Sequence, residues 1–203
     1  MPRIAGQIDK AKNEAILDAA SAVLFERGLA APLDEIARRA GVSKQTIYNH
    51  YGSKAELVRA LIARRSQLIT APLDVPGAED RPEAALAAYA RMLLETIIME
   101  RGVRLMRLII ESAPTQPEIA HAVFGATAGA SRSKLAAFLE REARAGRLAV
   151  PDPAEAAGFY TGMVIGHHQL QGLLSLPHGL TAESIDHIAA EVARRFMRAY
   201  APE

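Results

Sequence analysis

Apolar positions recur at intervals of three and four along almost the whole chain, and strand-like alternation is absent. That pattern predicts an all-α protein of about nine helices. The first spans residues 8–27, from Ile8, with Ile16, Ala19, Ala20, Val23 and Leu24 as its stripe and Gly28 as its stop. Two short helices follow within 34–51, joined by a sharp turn. In the first of them Ile36, Ala37 and Ala40 share a face, and Gly41 ends it because glycine takes the left-handed conformation without steric cost. Val42 plugs the turn and Ser43 caps the next helix, 44–51, by accepting a hydrogen bond from a first-turn N–H. Ser53 caps a fourth helix, 54–68. A loop with two prolines and a glycine (Ala71-Pro-Leu-Asp-Val-Pro-Gly77) follows, and it is the expected boundary between functional halves.

Beyond it, Pro82 starts a helix to about residue 101, Gly102 separates it from a helix over 103–113, and Pro117 starts a long helix to about 145. Pro153 starts an eighth, to about 176, and Thr181 caps a ninth, 182–200. Proline suits each start because the missing N–H has no partner in the first turn anyway. The domain division expected is 1–53 and 54–203.

The helix over 44–51 buries Ile47 and leaves Lys44, Gln45, Thr46, Tyr48, Asn49 and His50 to point elsewhere. A supporting helix, a tight turn and a short second helix rich in hydrogen-bonding side chains are the parts of a helix-turn-helix. Charge agrees with this. The net charge is +1 over 203 residues, but residues 1–70 carry 11 basic and 7 acidic side chains, and residues 71–203 carry 13 and 16. The net charges of +4 and −3 suggest a polyanionic partner for the first part only.

The chain has no cysteine, which excludes disulfides and thiolate sites and fits a cytoplasmic location. The N-terminal residues lack the apolar core of a signal peptide. Residues 156–182 contain no Asp, Glu, Lys or Arg. Gln169, Gln171, His167, His168, His178, several glycines and Pro177 make this stretch a buried helix rather than a membrane span. His167 and His168 are neighbours, so on a helix they point about a hundred degrees apart and do not converge on one metal ion. Ser131-Arg-Ser-Lys134 matches a Ser-x-x-Lys pattern formally, without the partner motifs of acyl-serine enzymes. No enzyme, metal site or cofactor is expected.

Residues 8–57 resemble the DNA-binding domain of the TetR/AcrR family of bacterial transcriptional regulators. The resemblance is carried by Ile16-Leu17-Asp18-Ala19-Ala20, Leu24-Phe25-Glu26-Arg27-Gly28, Asp34-Glu35-Ile36-Ala37, Ala40-Gly41-Val42-Ser43-Lys44, Thr46-Ile47-Tyr48, His50-Tyr51 and Ser53-Lys54 with Leu57. Leu105-Met-Arg-Leu-Ile-Ile-Glu111 and Phe138-Leu-Glu-Arg-Glu142 are similar to one branch of the family's ligand-binding domains. The resemblance implies double-stranded DNA as partner, with Tyr48, His50 and Lys54 on phosphates. The chemistry of the side chains adds Lys44, Gln45, Thr46 and Asn49 on base edges. Tyr51 is expected in the small core instead. One departure stands out. Where the family has a Ser or Thr before the second helix, this chain has Ala30-Ala31-Pro32-Leu33, so no hydroxyl is available there.

The resemblance further implies a small-molecule effector and a homodimer. Met99, Arg104, Leu108, Glu111, Phe124, Tyr160, Met163 and His167 are the candidate pocket residues, methionine being suited to an adaptable apolar cavity. Gly158, Gly162, Gly166 and Leu173 of the eighth helix, with Ile188, Val192 and Phe196 of the ninth, are the candidate interface. The expected function is that of a repressor released from a pseudo-palindromic operator by its effector. The alternative is a constitutive or partner-controlled DNA-binding protein whose Met-rich helices are solid core.

Overall fold

The computed structural model describes residues 10–29, 31–78, 80–177 and 179–202; the expectations that touch Ile8, Ala30 and His178 lie outside them. The described residues form α1 (Lys10–Arg27), α2 (Leu33–Ala40), α3 (Lys44–Tyr51), α4 (Lys54–Thr70), α5 (Pro82–Ile98), α6 (Glu100–Ser112), α7 (Pro117–Phe124), α8 (Ala130–Arg144), α9 (Pro153–Ile165), α10 (His168–Leu173) and α11 (Ala182–Ala199). A 3-10 turn covers Ala71–Leu73, a π-helical turn covers Gly125–Gly129, and no strand occurs among these residues. None of the described helices is long and apolar enough to cross a membrane.

Helix ends follow the local chemistry. Pro82, Pro117 and Pro153 each open their helix. The Ser53 hydroxyl accepts from Glu56 N at 3.1 Å, and Thr181 forms a reciprocal capping box with Ser184. These contacts satisfy N–H groups that the helix itself leaves without partners.

Three elements differ from the sequence expectation. The break between α5 and α6 falls at Met99, not Gly102. At Gly102 a Cβ would lie 2.4 Å from the Thr96 carbonyl oxygen. The residue is glycine because two backbone segments meet, not because a helix stops. The expected helix over 153–176 is divided at Gly166, whose φ of 47° and ψ of −130° belong to a region only glycine occupies easily. The long helix from Pro117 widens into the π turn within its run of small residues, and Arg132 Nε donates to the Ala128 carbonyl at 3.0 Å.

The chain divides into two compact units. One comprises the described residues up to Arg64 together with Arg104–Ala126; the other comprises the described residues of 65–103 and those from Thr127 onward. The first has two apolar clusters. Ile16, Ala20, Ile36, Ala37, Ile47 and Leu57 belong to one, and Leu24, Val58, Ile62, Ile109, Ile119 and Val123 to the other. In the second unit α5, α8, α9 and α11 surround Leu86, Tyr89, Leu94, Phe138, Tyr160 and Phe196. Its buried hydroxyls are satisfied: Tyr89 pairs with Ser131 Oγ at 2.8 Å, and Tyr160 donates to the Leu86 carbonyl at 2.8 Å. The buried Glu142 carboxylate accepts from Arg147 Nε at 2.6 Å and Nη2 at 3.1 Å.

Gly102→Ala should lower the unfolding free energy by about 2 kcal/mol in urea titration, because backbone must move to admit the methyl. Gly125→Ala, whose Cβ meets nothing within 4 Å, should be neutral or slightly stabilising. Arg147→Ala should cost about 2 kcal/mol by leaving a buried carboxylate without its charged donors, and Arg147→Lys should recover part of that loss.

Candidate nucleic-acid interface

The α2–α3 corner is built from short-range contacts. Gly41 sits at φ 67°, ψ 30°, and Val42 N reaches back to the Ala37 carbonyl at 3.0 Å, which closes α2. Ser43 is extended and its Oγ accepts from Thr46 N at 3.0 Å, which opens α3. Gly52, at φ 74°, donates to the Tyr48 carbonyl and ends it. Ile47 is the buried side chain of α3, at 0 % exposure among Ile16, Ile36 and Leu57. Ahead of α2, Pro32 occupies the cap position and offers no side-chain hydrogen bond, in keeping with the missing hydroxyl.

The residues expected to face DNA fall into two groups. Lys44, Gln45, Tyr48, Asn49 and His50 are exposed, and Thr46 is half-buried. Tyr48 stands 42 % exposed. Most of these side chains have a partner within the chain. Lys44 Nζ lies 2.8 Å from Asp34 Oδ2, and hydrogen bonding to that carboxylate raises its pKa above the ordinary lysine value. Gln45 Nε2 donates to Asn49 Oδ1 at 2.7 Å. The Thr46 hydroxyl pairs with Ser43 Oγ at 2.8 Å. All are exposed contacts that water or a base edge can replace at small net cost.

Lys54 is half-buried. Its ammonium donates to the Leu29 carbonyl and, at 2.5 Å, to the Ala31 carbonyl, and burial pushes its pKa down. Two of its three donors are therefore engaged by Leu29 and Ala31. Tyr51 is half-buried against the small core, and its hydroxyl donates to Asn13 Oδ1 at 2.6 Å. His50 Nε2 is 3.2 Å from the same oxygen. Sequence reasoning misses Asn13 and Asp34 as partners of this surface. Asp34 is ten residues from Lys44 and Asn13 is 37 from His50, and no periodicity or spacing signals such pairs.

The candidate pocket residues are spread over both units. Arg104, Leu108, Glu111 and Phe124 belong to the first unit, and Met99, Tyr160, Met163 and His167 to the second. Arg104 holds its guanidinium 4.6 Å from the Phe25 ring centroid. Leu108 is half-buried, and Glu111 and His167 are exposed. Phe124, Met99 and Met163 are all more than two-fifths exposed. Tyr160 requires correction: it is 0 % exposed, its hydroxyl is committed to Leu86, and its ring meets Phe196 edge-on at 4.9 Å. It is a core residue, not a pocket wall.

The candidate interface divides similarly. Phe196 and Val192 are buried in the second unit's own core, so the apolar stripe of α11 is covered by the chain itself. Ile188 and Leu173 are half-buried. Gly158, Gly162 and Gly166 have open space where a Cβ would stand, and Phe159 and Met163 beside them are exposed.

Comparison with known proteins agrees with this geometry. Residues 16–61 match the family profile of bacterial regulatory proteins of the tetR family, and residues 84–202, more than half of the chain, match the C-terminal domain of AefR-like transcriptional repressors. Over 50 residues the chain is 54 % identical to the HTH-type transcriptional activator FasR of Mycolicibacterium smegmatis, a stretch covering 24 % of this chain and 23 % of that protein. Over 63 residues it is 40 % identical to the HTH-type transcriptional repressor KstR2 of Mycobacterium tuberculosis, covering 30 % and 31 %. The matched stretches thus span less than a third of these relatives. Among solved structures, the flavonoid-responsive regulator FrrA is 31 % identical with a TM-score of 0.73, covering 96 % of this chain and 100 % of that one. A TetR transcriptional regulator from Agrobacterium tumefaciens has the same TM-score at 22 % identity, with 97 % of each chain covered, and shares the fold. A helix-turn-helix whose first helix is closed by Gly41 and whose second is opened by Ser43, followed by a helical part that matches along nearly its full length, places the chain in the TetR family of DNA-binding bacterial transcriptional regulators.

Proposed function

We propose that this regulator is a homodimeric repressor that reads a pseudo-palindromic operator through α3 and releases it when a small molecule binds. Residues 1–53 serve as the DNA-reading module, and 54–203 as the effector-binding and dimerisation module. The observation that carries the DNA half is the anchoring of α3 by Ile47 while five of its polar side chains stay exposed. Gln45 pairs with adenine, Lys44 reaches guanine, the Thr46 methyl meets thymine and Asn49 completes the readout. Tyr48, His50 and the remaining donor of Lys54 hold phosphates, and these fix register without carrying sequence information. The match of residues 84–202 to a repressor C-terminal domain supports the sign of regulation.

Dimerisation through α9 is supported by one exposed face. Phe159, Gly162 and Met163 follow the i, i+3, i+4 spacing of a single helix side, and among the described residues nothing lies within 4 Å of where a Cβ would stand at Gly162 or at the cap residue Gly166. Beyond the break at Gly166, Leu170 and Leu174 are exposed as well. A two-fold dimer sets two reading helices about 34 Å apart, which matches successive major grooves. For the effector, the second unit offers Met99 and Met163 as exposed apolar side chains and His167 as an exposed polar one. Release is a population shift, for which the effector must prefer the non-binding conformation by several kcal/mol. FrrA is described as flavonoid-responsive, so planar polyphenols are the first compounds to test here. The filled core around Tyr160 favours a second reading, regulation without a small molecule.

DNA selected from a random pool by the purified protein provides the probe. Gln45→Ala should bind the selected sequence about tenfold more weakly and lose discrimination at one base position. Tyr48→Ala should weaken selected and scrambled DNA alike and leave the salt dependence unchanged, because a neutral phenol displaces no counterion. Equal affinity of wild-type protein for both DNAs contradicts sequence reading. Gly162→Glu should convert the protein to monomer in sedimentation velocity with unchanged helical circular dichroism; a persisting dimer rules out the α9 face. A polyphenol that raises the melting temperature should also lower affinity for the selected DNA. Stabilisation without loss of affinity contradicts release, and no response across the panel supports the second reading.

A further inference from the structure

We propose that Asn13 is a positioning residue of the DNA-contacting surface, acting through His50; the inference rests on the reading that α3 faces DNA. Asn13 lies near the start of α1 and is half-buried. Its carboxamide oxygen is 2.6 Å from the Tyr51 hydroxyl and 3.2 Å from His50 Nε2. The two rings meet edge-on, with centroids 4.5 Å apart at 87°. One oxygen on a neighbouring helix therefore receives two consecutive side chains from the end of α3.

An amide oxygen only accepts hydrogen bonds, so both groups that converge on it must donate. The phenol donates its O–H. The imidazole must then carry its proton on Nε2, which assigns the tautomer of the neutral ring and leaves Nδ1 as the outward nitrogen. At Nδ1 the neutral ring accepts one hydrogen of a water molecule, whose other hydrogen reaches a phosphate oxygen. The imidazolium would donate there directly. In both forms Asn13 keeps Nε2 away from DNA and stops the ring from turning about its side-chain bonds. Tyr51 closes the arrangement from the core side, because its half-buried ring abuts the imidazole while its hydroxyl shares the same acceptor. The result is a pre-oriented contact, which lowers the ordering cost at the moment of binding.

The test has two arms on the full-length protein. In long-range 15N spectra of histidine-labelled protein, recorded at alkaline pH where imidazoles are neutral, His50 should carry its proton on Nε2, and Asn13→Ala should convert it to a mixture of tautomers. A mixture already present in the wild type overturns the proposal. In the second arm, affinities for the selected DNA are compared for Asn13→Ala, His50→Ala and the double variant. Asn13→Ala alone should weaken binding about fivefold, but less than twofold when His50 is already alanine, as expected for two groups acting as one. Equal loss in both backgrounds overturns the proposal, as does a His50→Ala protein that binds like the wild type. Tyr51→Phe serves as a second background: an Asn13 effect that vanishes there but persists with His50→Ala assigns Asn13 to packing instead. A wild-type protein without sequence preference removes the DNA reading itself, whereas specific binding that ignores Asn13→Ala removes this inference alone.

Discussion

An eight-residue helix does not persist in water by itself, since the cost of its first turn is recovered only over a much longer helix or by packing. α3 is such a helix, and Ile47 is its one fully buried side chain. Burial of that side chain among Ile16, Ile36 and Leu57 contributes on the order of 2–3 kcal/mol, and it fixes which way every other residue of α3 points. Gly41 and Ser43 set the entry angle, and Gly52 sets the exit. The polar side chains can remain exposed because none of them has to hold the helix in place. α3 is thus held by Ile47, with half-buried Tyr51 beside it, and most of its polar side chains stay exposed.

The second unit solves a different problem. Its helices are long enough to pack in layers, and α11 lies against α5 with Phe196, Val192 and Ile185 turned inward. Tyr160 stands at the centre, edge-on to Phe196 and hydrogen-bonded to Leu86. Exposed apolar side chains nevertheless remain on α9 and on or just after α10, among them Phe159, Met163, Leu170 and Leu174. This surface lies beside glycines that leave room for a close approach.

What can be read from the sequence is local. Prolines at helix starts, Ser43 and Thr181 as caps, Gly41 as a left-handed stop and the burial of Ile47 all follow from a few neighbouring residues. The stripe of α11 is equally legible, but periodicity reports only that a face is apolar, not whether a partner or the chain's own α5 covers it. The expectation for Tyr160 fails for the same reason. Long-range side-chain contacts are not legible at all. Lys54 reaches carbonyls 23 and 25 residues away, and Asn13 meets Tyr51 across 38. Gly102 shows a third limit: a glycine between two apolar runs is plain to see, but the close approach of the Thr96 carbonyl that demands it depends on how the chain turns at Met99.

If α3 reads base sequence from a two-fold dimer, hydroxyl-radical footprinting of the purified protein on its selected DNA, at fixed salt, should show two protected half-sites related by two-fold symmetry and centred about one helical turn apart. A single protected stretch without symmetry, or protection that spreads evenly along any DNA supplied, would contradict it.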